Sequence, residues 1–87
     1  MARPKKDRFL ICKIKCREFV PVGLCVDYVR LRIDEFEAIK LKDFDGMDQK
    51  IAAKRLRISQ PTFHRILLSA RRKIGDALVN GKEIVIK

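Results

Sequence analysis

No apolar stretch in this 87-residue chain approaches the roughly 20 residues that a membrane-spanning helix needs, so a transmembrane helix is excluded. Cysteine is too scarce for a disulfide framework. Cys12, Cys16 and Cys25 make an odd count, and a reducing compartment keeps them as thiols. As a metal site they would offer Cys-x3-Cys, a third thiol, and a fourth ligand from His64 or a carboxylate. Free thiols are the expected state, with the three cysteines as an alternative metal or redox sensor. The acids lack the alternate-residue spacing of a calcium loop. No phosphate loop and no paired nucleophile and base occur, so the chain is not expected to be an enzyme, and no cofactor is expected. Repeats and low-complexity segments are also missing. The length allows one small domain and excludes a large catalytic scaffold.

Acidic residues are in short supply: 11 Asp and Glu face 21 Lys and Arg, for a formal charge of +10. With 47% hydrophobic and 37% charged residues, the composition is that of a folded protein rather than a disordered one. Residues 1–17 carry +6, residues 18–48 carry −4, and residues 49–87 carry +8. Two basic segments around an acidic one polarise the surface if they fold to one side, the electrostatic footprint of a nucleic-acid partner. The basic start, Met1 to Lys6, precedes an apolar stretch broken by Lys13 and Lys15. That pattern argues against a secretory signal, and a cytoplasmic location without membrane contact is expected.

Four segments are expected. Residues 1–8 form a basic flexible arm, and residues 9–33 hold a strand, Phe9–Lys15, followed by a connection through Pro21 and Gly23 to Leu31. Residues 34–80 form a helical domain, and residues 81–87 a C-terminal strand. The first helix begins at Asp34, in capping-box relation to Glu37, with Phe36, Ile39, Leu41 and Phe44 on one face and Asp45-Gly46 closing it. A second helix runs from Gln49 to Leu56 after Asp48. A third starts after Ser59, tolerates Pro61 in its first turn, and continues to about Val79 before Asn80-Gly81 stops it.

The stretch Gln49–Leu67 has the pattern of a DNA-binding helix-turn-helix. Ala53 leaves room for a crossing helix; Leu56, Ile58, Phe63 and Ile66 close a small shared core; and Arg57-Ile58-Ser59 has the length of the turn. The turn position usually held by Gly is Arg57, at a cost of about 1 kcal/mol in the left-handed region. In this geometry the helix from Gln60 enters the major groove and turns Ser59, Gln60, Pro61, Thr62, His64 and Arg65 to the base edges. Gln60 suits adenine and Arg65 suits guanine, each pairing worth about 1–3 kcal/mol of discrimination. Gln49, Lys50, Lys54, Arg55 and Arg57 are expected on phosphates, joined by Arg71, Arg72 and Lys73 later on the long helix. Arg3, Lys5 and Lys6 form an arm reaching a neighbouring groove or phosphates.

These motifs carry a resemblance. R-I-D-E-F-E-A-I-K-L-K-D, Q-K-I-A-A-K-R-L, S-Q-P-T-F-H-R-I-L, S-A-R-R-K-I and A-L-V-N-G-K resemble a small prokaryotic family of uncharacterised, predicted DNA-binding proteins. Its helix-turn-helix is similar to region 4 of sigma factors, and the opening A-R-P-K-K and Pro21 to Gly23 fit it too. Arg32, Asp48 and Arg57 depart from the Thr, Ser and Gly expected there. The resemblance implies a mainly α, three-helix helix-turn-helix fold with short N- and C-terminal strands. It also implies double-stranded DNA as partner and a role in transcriptional regulation. A homodimer is expected because a single small module buries only roughly 600–1,000 Å² on DNA. The long third helix and the two terminal strands would supply its contacts, the strands pairing with each other. An adaptor that binds a protein or structured RNA through the same fold is the alternative.

Overall fold

The computed structural model describes residues 13–23, 25 and 27–87. Their order is β1 (Glu18–Phe19), β2 (Tyr28–Leu31), α1 (Ile33–Ala38) continuing as a π-helical segment (Ile39–Phe44), α2 (Gln49–Leu56), α3 (Gln60–Asn80) and β3 (Glu83–Ile86). The fold is mainly helical and helix-turn-helix-like, with short strands before and after the helices.

β3 lies at the centre of a three-stranded sheet ordered β1-β3-β2. β1 runs antiparallel to it, Glu18 opposite Val85 and Phe19 opposite Ile84. β2 runs parallel, with Tyr28 opposite Glu83 and Leu31 opposite Ile86. Parallel neighbours need a long crossover, and here the three helices together supply it. A segment N-terminal to the helices does pair with the C-terminal strand, but it is Glu18–Phe19 and not the expected Phe9–Lys15. Lys13 to Lys15 are not in a strand, and β1 forms three residues later; residues 9–12 lie outside the described residues. The segment expected as a connection to Leu31 ends in strand β2. Its four residues alternate exposed and buried, a pattern too short to stand out beside Arg30.

The helices follow from local chemistry. Arg32, extended at φ −72° and ψ 161°, precedes α1, and its backbone N–H donates to Glu35 Oε1 at 2.8 Å. The expected pairing of Asp34 with Glu37 is therefore replaced by one of Arg32 with Glu35, because the helix starts at Ile33. Asp34 instead holds the Arg32 guanidinium, at 2.9 and 3.2 Å. Beyond Ala38 the helix widens, and the N–H of Asp45 donates to the carbonyl of Lys40 five residues back. That widening turns Phe44 off the inner face on which helical spacing puts it. It stands 80% exposed, with Lys40 Nζ 5.6 Å from its ring centre.

α2 spans the expected residues. Its end is a Schellman motif, with Arg57 N–H donating to the Lys54 carbonyl and Ile58 N–H to that of Ala53, both at 3.0 Å. Arg57 takes the left-handed conformation, φ 62° and ψ 42°, that this closure demands. The Ser59 hydroxyl accepts from Thr62 N–H at 3.3 Å to start α3, and Gly81 at φ 66° ends it.

Two apolar clusters meet along α3. The first joins Ala38, Leu41, Ala52, Ala53, Leu56, Phe63 and Leu67, the helix-turn-helix core. The second sets Ala70 of α3 against Leu31 and Ile86 of the sheet. Ile39 packs on both. The N-terminal half of α3 thus belongs to the helices and its C-terminal half to the sheet.

Candidate nucleic-acid interface

The turn between α2 and α3 presents a connected set of side chains. Ser59, Gln60, Pro61, His64 and Arg65 are exposed and Thr62 is half-buried, because Phe63 and Leu67 take the inward positions of the same turns. Ser59 Oγ donates to Thr62 Oγ1 at 2.8 Å, and an Arg65 guanidinium N–H reaches the same oxygen at 3.5 Å. These hydroxyls tie the Arg65 head to the first turn of α3, so it stands beside Ser59 and Gln60.

Beside this turn, Lys50, Lys54, Arg55 and Arg57 are exposed on α2 and its end, and Gln49 is half-buried. No acid occurs from Gln49 to Gly75. The α2 bases and the first turns of α3 therefore carry only basic charges, with Asp48 as the exposed acid just before α2.

The three bases expected on phosphates farther along α3 behave differently. Arg71 clasps Asp43 of the π-helical segment through two nitrogens, at 3.1 and 2.5 Å. The guanidinium holds the Asp43 carboxyl below its usual range. Lys73 donates to the Arg30 carbonyl at 2.9 Å and to Glu35 Oε1 at 2.8 Å. Arg72 is exposed, but it lies twelve residues past Gln60, about 18 Å along the axis. Arg71 and Lys73 thus hold elements together, and Arg72 faces a different part of the surface. Arg3, Lys5, Lys6 and Cys12 lie outside the described residues.

A polar network that the sequence reading did not single out centres on Glu35. Its side chain is fully buried, and Ser69 Oγ donates to Oε2 at 2.6 Å while Lys73 and the Arg32 N–H donate to Oε1. Burial pushes this carboxyl up, but the Lys73, Ser69 and Arg32 hydrogen bonds outweigh it and hold the group below its ordinary value. The available signal was phase: Glu35 shares the inner stripe of α1 with Ala38 and Ile39, and an acid there requires partners. The network pins α1 to α3 behind the helix-turn-helix.

Cys16 Sγ donates to the Glu18 carbonyl and Cys25 Sγ to that of Asp27, each at 3.1 Å. Among the described residues no three His, Cys, Asp or Glu side chains gather as a metal would require. No helix among them is long and apolar enough to cross a membrane.

The comparisons agree along the whole length. The family described as Protein of unknown function DUF134 matches residues 1–87. A UPF0251 protein of Thermoanaerobacter pseudethanolicus is 44% identical over 90 residues, covering all of this chain and 76% of that protein. A UPF0251 protein of Halothermothrix orenii is 42% identical over 87 residues, 97% of this chain and 64% of its own length. In the archaeon Methanothermobacter thermautotrophicus a UPF0251 protein is 44% identical over 88 residues, all of this chain and 47% of the relative. No solved structure matches. With agreement from first residue to last and relatives in both bacteria and archaea, the chain belongs to the DUF134 (UPF0251) family of uncharacterised proteins.

Proposed function

We propose that this protein is a sequence-specific reader of double-stranded DNA that acts in the cytoplasm as a transcriptional regulator. The observation that carries the reading is the exposed turn Ser59–Arg65 beside the exposed bases of α2, a helix with no acid among its own residues. An α-helix fits the major groove, and the first turns of α3 would bring Gln60 and Arg65 to base edges. Both side chains form bidentate pairs with bases, and Thr62 restrains Arg65 before binding. Lys50, Lys54, Arg55 and Arg57 would neutralise flanking phosphates, releasing counterions and fixing register.

The test is selection of bound duplexes from a randomised library, followed by titration of the selected site at several salt concentrations. A defined site should emerge, with affinity falling steeply as salt rises. Arg65→Ala should relax one base position by about 1–3 kcal/mol, whereas Lys54→Ala should weaken all sequences alike and flatten the salt slope by about one. Salt-sensitive binding without enrichment of any sequence would contradict the reading.

The exposed ring of Phe44 favours a second reading, an adaptor that binds a protein partner. Retention of such a partner after Gln60→Ala and Arg65→Ala, with loss after Phe44→Ala, would select it.

A further inference from the structure

Arg65 differs from the bases of α2 in having a partner. Lys50, Lys54 and Arg55 are exposed and make no side-chain hydrogen bond among the described residues. Arg65 is exposed too, yet one guanidinium N–H is directed at Thr62 Oγ1, 3.5 Å away. That partner is a neutral hydroxyl. Arg71 shows the contrast, its guanidinium being engaged by the Asp43 carboxylate, which neutralises it. Arg65 keeps its full charge, and the N–H groups not turned to Thr62 stay free for a ligand.

The Thr62 hydroxyl is itself held. Ser59 Oγ donates to it at 2.8 Å while accepting from the Thr62 N–H at 3.3 Å, which closes a ring at the start of α3. The side chain is half-buried, next to the fully buried Phe63. A β-branched residue in a helix has few χ1 positions, and for threonine a hydrogen bond decides between them. Such a hydroxyl often returns to a carbonyl one turn back. Here it is turned to Ser59 and Arg65 instead, so the three side chains form one chain of hydrogen bonds. At 3.5 Å the last link is long, and it biases the direction of the guanidinium without binding it tightly.

That bias bears on selectivity more than on affinity. A freely swinging arginine that meets the wrong base turns to another acceptor, such as a phosphate. One that is held is left unpaired at a desolvated surface, and the wrong base is penalised. Part of the ordering of the side chain is also complete before binding. In the major groove guanine offers two acceptors, O6 and N7, whereas adenine sets an amino donor beside its N7. A guanidinium has donors alone, so guanine satisfies it and the adenine amino group opposes it.

We propose that Thr62 is a positioning residue: its hydroxyl aims Arg65 at a guanine and so sets the base preference there, without touching a base itself. The proposal rests on the DNA reading above, but its first test needs no DNA.

In the free protein, NMR relaxation of the arginine Nε–H groups should show less motion at Arg65 than at Arg55 or Arg72. Thr62→Val, which keeps the shape and removes the hydroxyl, should abolish the difference while circular dichroism is unchanged. On the duplex selected by the unaltered protein, the same substitution should lower the guanine-to-adenine affinity ratio about two- to tenfold at the position that Arg65→Ala relaxes. Affinity for random duplex and the salt slope should stay as they were, because no charge is altered. Thr62→Ser, which keeps the hydroxyl, should restore both the restraint and the ratio. An Arg65 as mobile as Arg55 in the unaltered protein would overturn the proposal whatever the DNA result. A selected site that lacks guanine at that position, or whose base ratio Thr62→Val leaves intact, would overturn it while the DNA reading stands. Binding without enrichment of any sequence would end the DNA reading, and this proposal with it.

Discussion

Glu35 shows at the scale of one residue how a buried charge is retained. It is enclosed, yet every oxygen has a donor: Ser69 on one, Lys73 and the Arg32 N–H on the other. Removing one member of such a set leaves the others desolvated. Glu35→Gln is therefore expected to lower unfolding free energy by roughly 2 kcal/mol in urea titrations, since Lys73 remains partly open to water. The carboxyl also makes stability pH-dependent. Its ordinary value is 4.5, and the folded value is lower, so the unfolded chain takes up the proton first as pH falls. The stabilisation is complete above that ordinary value and is lost as pH drops through the folded one. Unfolding free energy measured from neutral pH into acid should decline below about pH 4.5, and less steeply in Glu35→Gln. Asp43 and Asp76, lowered by Arg71 and Lys82, act with the same sign and explain why some decline remains in the variant.

The helix-turn-helix depends at the scale of elements on one left-handed residue. Arg57 closes the Schellman motif that turns α2 into α3, and a Cβ in that conformation is strained. Arg57→Gly should relieve the strain and raise stability by up to about 1 kcal/mol. It should weaken DNA binding at low salt if the guanidinium meets a phosphate. Thermal melting and a salt titration separate the two effects. At the start of α3, Ser59→Ala removes the acceptor for Thr62 N–H. A cost of about 1 kcal/mol is expected from the same melts. The change also frees Thr62, and with it the restraint on Arg65.

For the molecule as a whole, α3 acts as a beam between two cores. Its first half closes the helix-turn-helix around Phe63 and Leu67, and its second half seats Ala70 against Leu31 and Ile86. Charge follows the same division, basic near the turn and balanced near the sheet. The exposed turn Ser59–Arg65 and the sheet thus fall at opposite ends of one helix.

The sequence by itself determined the elements whose signals are local. Ser59, Pro61 and Gly81 bound α3, apolar residues spaced three and four apart run along its length, and α2 has the expected bounds. The three-helix plan and the exposed turn from Ser59 to Arg65 were legible for the same reason: each depends on residues within a few positions of one another. Only the tertiary structure decided what depends on distant contacts. The four residues of β2 carry little periodicity and become a strand because β3 pairs with them across the crossover. β1 is placed by Val85 and Ile84, and not by the alternation near Lys15. Phe44 has helical spacing but is turned outward by the widened π-helical segment. Arg71 and Lys73 read as phosphate ligands, but Asp43 and Glu35, roughly 30 to 40 residues away in sequence, engage them within the fold. Local hydrogen bonding and side-chain phase are written into neighbouring residues, whereas the partner of a charge is chosen by whatever the completed fold brings beside it.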